Sequence, residues 1–170
     1  RDRLRSRGLG DVYKRQILNL REQLGLDGEL QSDCAVLTPL IQRLRTISGV
    51  KALRDATRGG VNAVAHEFAA ACGCGVELTE QKLPLKDAVR GVCELLGLDA
   101  LNFANEGKLV IGVSREAADE VLAALRAHPL GCDAAIIGEV TERRGVRVAG
   151  LYGVKRTLDL PHAEPLPRIC

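Results

Sequence analysis

Between Thr38 and Ala149 the apolar residues keep switching between a helical and a strand-like period, and this alternation constrains the fold more than any single residue. Thr38-Pro39, followed by Leu40, Ile41, Leu44 and Ile47, reads as a helix start that Gly49 closes. Val50–Arg54 alternates as a short strand does, and Val61–Ala71 is a helix with Val61, Val64, Ala65 and Phe68 on one face. Val76–Leu78 is a brief strand, and Pro84–Leu96 a helix with proline near its start. Lys108–Val113 is a strand, with Ser114 as the expected N-cap of a helix over Arg115–His128. Ala134–Val140 and Val146–Ala149 are strands joined by the charged turn Thr141–Gly145. Such a succession predicts an α/β chain, an α+β sandwich with a mixed sheet covered by helices. With two Phe, two Tyr and no Trp, its core must be built from Leu, Val, Ile and Ala.

The two ends differ from this middle. Residues 1–16 hold six Lys/Arg against two Asp, while the whole chain has a net charge of only +2, so the basicity belongs to this stretch. It can be read as a basic arm for nucleic acid or as a non-native leader; we take the second reading and set it apart. Residues 17–48 then form a connector and first helix, residues 49–150 the main domain, and residues 151–170 a tail. The tail ends Pro161-His-Ala-Glu-Pro165-Leu-Pro167-Arg-Ile-Cys170. Prolines fix φ, remove backbone donors and push the preceding residue toward extended geometry, so an extended arm is expected. From Gly150 it spans roughly 65 Å at full extension. A terminal thiol on such an arm can travel to a partner or a pocket, or it is simply an exposed end.

The cysteines at 34, 72, 74, 93, 132 and 170 lack framework spacing and no secretory signal precedes them, so reduced thiols in a cytoplasmic protein are expected. Cys72-Gly-Cys74 suggests a metal, but no second pair completes a zinc set, and small hydrophobes at a helix end are the preferred reading. His66 is expected at a surface or interface. His128 lies near a helix C-terminus, which favours positive charge. No apolar run reaches the roughly 18 residues of a membrane span.

Two loops can carry chemistry. Asp55-Ala-Thr57-Arg58-Gly59-Gly60 lies between strand and helix, where backbone N–H groups and the helix end favour an anion. Asp55 can ligate a divalent cation and Thr57 can cap the helix or meet a phosphate; a plain capped turn has the same composition. Asn102–Lys108 precedes the next strand, with Glu106 either a positioned base or an exposed turn carboxylate.

Three segments in order carry a family likeness: DATRGGV at Asp55–Val61, FANEGKLV at Phe103–Val110, and the terminal Pro167-Arg168-Ile169-Cys170. Together they resemble the carboxy-terminal half of the HypE family of hydrogenase maturation factors, over residues 17–170. The first segment is shared more widely with the aminoimidazole ribonucleotide synthetase and selenophosphate synthetase superfamily. The resemblance implies the C-terminal domain fold of that superfamily. It also implies that a HypF-like carbamoyltransferase loads Cys170, and that ATP with Mg²⁺ converts the S-carboxamide to an S-thiocyanate. The cyanide then passes to iron on a HypC–HypD-like scaffold. By the same resemblance Cys170 and Glu106 are catalytic, Asp55 contacts Mg²⁺, and Thr57, Arg58, Gly59 and Gly60 belong to the nucleotide site. Family members are homodimers about twice as long, and their other half builds most of the ATP pocket, so this segment alone is not expected to run the reaction. Neither nucleic acid nor membrane is expected as a partner. A non-catalytic carrier module, or the C-domain of another ATP-activating synthetase, are the alternatives.

Overall fold

The computed structural model describes residues 34–160. Its elements run α1 (Thr38–Leu44), β1 (Val50–Asp55), α2 (Gly60–Cys72), β2 (Gly75–Thr79), α3 (Asp87–Leu96), β3 (Leu109–Val113), α4 (Ala118–Arg126), β4 (Gly138–Thr141), β5 (Gly145–Ala149) and β6 (Lys155–Thr157). The strands form two sheets. One is the antiparallel pair β1–β3, with Leu53 opposite Ile111 and Asp55 opposite Leu109. The other has the order β4-β2-β5-β6, with β2 and β5 parallel and the outer pairings antiparallel. The expected α+β sandwich with a mixed sheet is therefore present.

Each sheet supports its own aliphatic core. Ala65 and Ala69 of α2 pack on Val76, Leu78, Val146 and Val148 of the four-stranded sheet, together with Leu83, Leu101 and Leu158. The strand residues sit two apart, which points each pair to the same face. Val146 and Val148 are 1% and 0% exposed, and burial of a side chain of this kind contributes about 1.5–3 kcal/mol. The second core joins Leu44 of α1 to Ala117 and Val121, with Ile111 and Val113 of β3 against it.

Several elements differ from the sequence reading, each for a local reason. The helix expected over Pro84–Leu96 begins only at Asp87, because residues 80–82 make a tight 3₁₀ turn, the Leu85 N–H folds back to the Leu83 carbonyl, and Lys86 is extended. Ser114 makes no side-chain cap; a 3₁₀ turn at Arg115–Ala117 leads into α4, which ends at Arg126. The strand expected from Ala134 starts at Gly138, since the Ala134 N–H folds back to the Gly131 carbonyl. The largest difference concerns the tail. Residues 155–157 form β6 on the edge of β5, and Leu158 is 3% exposed, its N–H bonded to the Val146 carbonyl. The chain is thus held to the domain as far as Asp159, well past Gly150.

Cys72 and Cys74 form a disulfide, with Cα atoms 5.3 Å apart, which corrects the expectation of reduced thiols. α2 ends at Cys72 and Gly73 turns the chain back, which brings the two side chains together. Cys93 is a buried thiol and Cys132 an exposed one. His128 follows the end of α4 and caps the next turn: its Nδ1 accepts the Leu130 N–H of the 3₁₀ turn Pro129–Gly131.

Candidate functional site

β1 hands the chain directly to the start of α2, and the site forms at that handover. Ala56, which is fully buried, is bonded on both sides to the second loop. Its N–H donates to the Lys108 carbonyl at 3.1 Å, and its carbonyl accepts the Asn105 N–H at 2.9 Å. These two bonds hold the turn 105–108 against residues 55–57. The Asn105 side chain stiffens the turn further: Nδ2 donates to the Phe103 carbonyl, and Oδ1 accepts from Lys108 Nζ, both at 2.6 Å. Two loops separated by about fifty residues in sequence thereby become one rim.

Between them lies a cavity of about 430 Å³, lined by Arg54, Asp55, Thr57, Arg58, Val64, Glu67, Ala104 and Glu106. Of the residues singled out in the sequence, Asp55, Thr57, Arg58 and Glu106 meet here. Gly59 and Gly60 do not line it. Both have left-handed φ, +71° and +61°, which glycine adopts without strain. A Cβ on Gly60 would collide with the backbone carbonyls of Leu101 and Phe103. In this arrangement Gly60 lets α2 approach the 101–103 turn that leads into Glu106. Thr57 does not cap the helix with its side chain, since Gly59 is the N-cap; its hydroxyl donates to Asp55 Oδ2 at 3.3 Å. Cys170 and the other tail residues from 161 onward lie outside the described residues.

Sequence reading missed Arg54 and Glu67. Arg54 Nε donates to Glu67 Oε2 at 2.7 Å, and its Nη1 lies 3.2 Å from Asp55 Oδ1. The hydrogen bond to Glu67, and then the charges of Glu67 and Asp55, raise the guanidinium pKa above its already high ordinary value. The side chains are about half exposed, so solvent screens the pairs and their role is to orient rather than to stabilise. Arg54 and Thr57 grip opposite oxygens of Asp55 and fix its carboxylate. Glu67 sits one helical turn after Ala63, a position whose link to Asp55 only the fold reveals.

Two arginines and three carboxylates therefore share the rim. A bare polyphosphate would meet an excess of acid there, whereas a polyphosphate carrying a divalent cation matches both signs. No cluster of three or more His, Cys, Asp or Glu able to hold a metal ion exists among the described residues. Mg²⁺ commonly uses one or two carboxylates plus substrate phosphates and water, so Asp55 with a bound polyphosphate fits its habits better than a protein cage would.

The family model of the AIR synthase related protein C-terminal domain matches residues 11–150. The chain belongs to this family. It is also 83% identical over 162 residues to the carbamoyl dehydratase HypE of Escherichia coli K12, covering 95% of this chain and 48% of that protein. The crystal structure of E. coli HypE superposes with a TM-score of 0.83 at 84% identity, over 90% of this chain and 48% of that one. A HypE–HypF complex gives 0.77 at 41% identity, covering 85% and 48%. A HypE structure in complex with ATP gives 0.77 at 33% identity, covering 86% and 47%. The chain spans about half the length of the curated relatives it matches. The AIR synthase related C-terminal domain thus accounts for the two-sheet architecture and for the loop pair that makes the rim. Among the described residues, no helix is long and apolar enough to cross a membrane.

Proposed function

We propose that this chain supplies the carboxy-terminal half of a HypE-type carbamoyl dehydratase of [NiFe] hydrogenase maturation, acting in the cytoplasm. One observation carries the reading: Asp55, Thr57, Arg58 and Glu106, drawn from two distant loops, line one cavity in a chain so similar to E. coli HypE. The substrate is a carboxamide on the sulfur of Cys170, loaded by a HypF-like carbamoyltransferase from an activated carbamoyl donor: the thiol loses its proton, the S–C bond forms, and the donor's bond from the carbamoyl carbon to its leaving oxygen breaks, the phosphate-type leaving group departing as an anion.

Conversion of that carboxamide to a thiocyanate removes the amide oxygen and both amide protons. Bound ATP supplies the phosphoryl group that lets the oxygen depart as phosphate. Glu106, on the rim, takes one proton from the amide nitrogen as the oxygen accepts the phosphoryl group, and the second proton passes to solvent as the C–O bond breaks and phosphate departs. Asp55, held by Arg54 and Thr57, is the residue for Mg²⁺, and Arg58 faces the phosphate charge. Much of the nucleotide site belongs to the other half found in the longer relatives, as does the homodimer contact, so the chain alone is inactive. The S–C bond of the thiocyanate is then cleaved with two electrons from a reductant on the partner side, which returns the Cys170 thiolate and leaves cyanide on the iron of a HypC–HypD-like scaffold.

The test joins residues 17–170 to the amino-terminal half of E. coli HypE and measures ATP-dependent thiocyanate formation with a HypF-type carbamoyltransferase and carbamoyl phosphate. The chimera should form thiocyanate, and its Cys170→Ala variant should form none. Thiocyanate from the variant would refute the assignment of Cys170.

A further inference from the structure

α2 has a second functional face, turned away from the cavity. Asn62 and His66 are four residues apart and so share one side of the helix, while Val64 and Glu67, three apart, face the cavity from the other. Asn62 is the one buried polar side chain among the described residues, 0% exposed. Its Nδ2 donates twice: to Asn102 Oδ1 at 2.8 Å and to the Asp159 carbonyl at 2.9 Å. His66 Nε2 lies 2.7 Å from the Leu158 carbonyl. A carbonyl can only accept, so Nε2 carries the proton. His66 was expected at a surface or interface, and it instead meets the chain's own C-terminal segment. Leu158 itself is seated in the larger core, and Arg156 Nη2 pairs with Asp99 Oδ2 at 2.6 Å. Four separate contacts thus hold the chain at 156–159, immediately before the proline-rich end.

We propose that Asn62 and His66 form a clasp that makes Leu158–Asp159 the fixed pivot of the C-terminal arm, and that they are positioning residues for Cys170. The inference rests on the dehydratase reading for its consequence, but the clasp itself does not. A pivot at Asp159 leaves eleven residues, 160–170, with a reach of roughly 35–40 Å. Asn62 joins the pivot to the turn at 100–102 that leads into the Glu106 loop, so arm root and rim share one amide. If β6 and its flank were released, the free arm would begin near Gly150 and double in length. Effective concentration at the cavity falls about as the −3/2 power of length, or roughly threefold.

Hydrogen exchange on this chain tests the clasp through the Leu158 amide, which is bonded to β5. In His66→Leu, peptides covering 156–160 should exchange roughly fivefold to tenfold faster, the loss expected of one hydrogen bond. His66→Gln, which keeps a donor at the same reach, should restore the original rate. Protection in β2, which does not pair with β6, should not change in either variant. Equal exchange in wild type and His66→Leu would overturn the proposal. So would a loss of protection in β2 as large as that at the root, since His66 would then be a general core residue. In the chimera described above, His66→Leu should lower kcat for thiocyanate formation by up to about threefold, the limit set by full release of the root, with KM for ATP unchanged, and His66→Gln should not. An altered KM for ATP would contradict a positioning role for the arm. Thiocyanate formation by the Cys170→Ser chimera would refute the dehydratase reading, while the exchange result would still decide the clasp.

Discussion

The two faces of α2 contrast in how they hold their polar groups. Toward the cavity, Glu67 meets Arg54 and Asp55 in a half-exposed ionic chain. Toward the tail root, buried Asn62 and half-buried His66 donate to backbone carbonyls. Solvent screens the first and leaves it free to exchange partners with an arriving ligand. The second is centred on a fully buried amide, whose bonds are costly to leave unmade, so it holds. One helix thus presents an adaptable surface to the chemistry and a rigid one to the arm that delivers the substrate.

Four substitutions or reagents can break or sharpen this contrast. Gly60→Ala, at the junction of both faces, should cost the most. It combines a strained φ with collisions against two backbone carbonyls, about 4 kcal/mol by urea unfolding. Asn62→Ala leaves the Asn102 oxygen and the Asp159 carbonyl without their donor and should cost about 2 kcal/mol. Glu67→Gln, on the ionic face, should change stability by less than about 1 kcal/mol; a loss as large as that of Asn62→Ala would erase the distinction between the faces. The smallest effect concerns Cys93, 7% exposed. Burial first, and then the charge of Asp99, push its thiol pKa upward. Since the thiolate is the reactive form, alkylation of Cys93 should lag behind that of exposed Cys132 at neutral pH and accelerate only at higher pH. Equal rates for the two across the pH range would contradict the burial.

The sequence made some of this legible and concealed the rest for identifiable reasons. The strands at Val50, Val76 and Val146 and the helix from Val61 were readable because their apolar spacing matches the face they bury. Asp55 and Glu106 were readable through their motifs, and the structure brings both to one cavity. Arg54 and Glu67 were not, because an ion pair thirteen residues apart leaves no periodic mark. Gly59-Gly60 suggested an anion cradle, whereas the close neighbour of Gly60 is the protein's own backbone. The sequence places a tail at residues 151–170, whereas the chain pairs with β5 as far as Thr157. The short strand Lys155–Thr157 has all its side chains exposed, so no alternation announces it. Asn62 was invisible because a buried asparagine looks like any polar helix residue until its partners are known.

The most direct test of the account is the mass of the peptide that ends at Cys170. It is measured in the chimera after incubation with a HypF-type carbamoyltransferase, carbamoyl phosphate and ATP, with and without Glu106→Gln. The account predicts that the original chimera loses the elements of water from its carbamoylated Cys170, while Glu106→Gln keeps the full carboxamide. Dehydration at an undiminished rate in Glu106→Gln, or a carbamoyl group on any other residue, would contradict it.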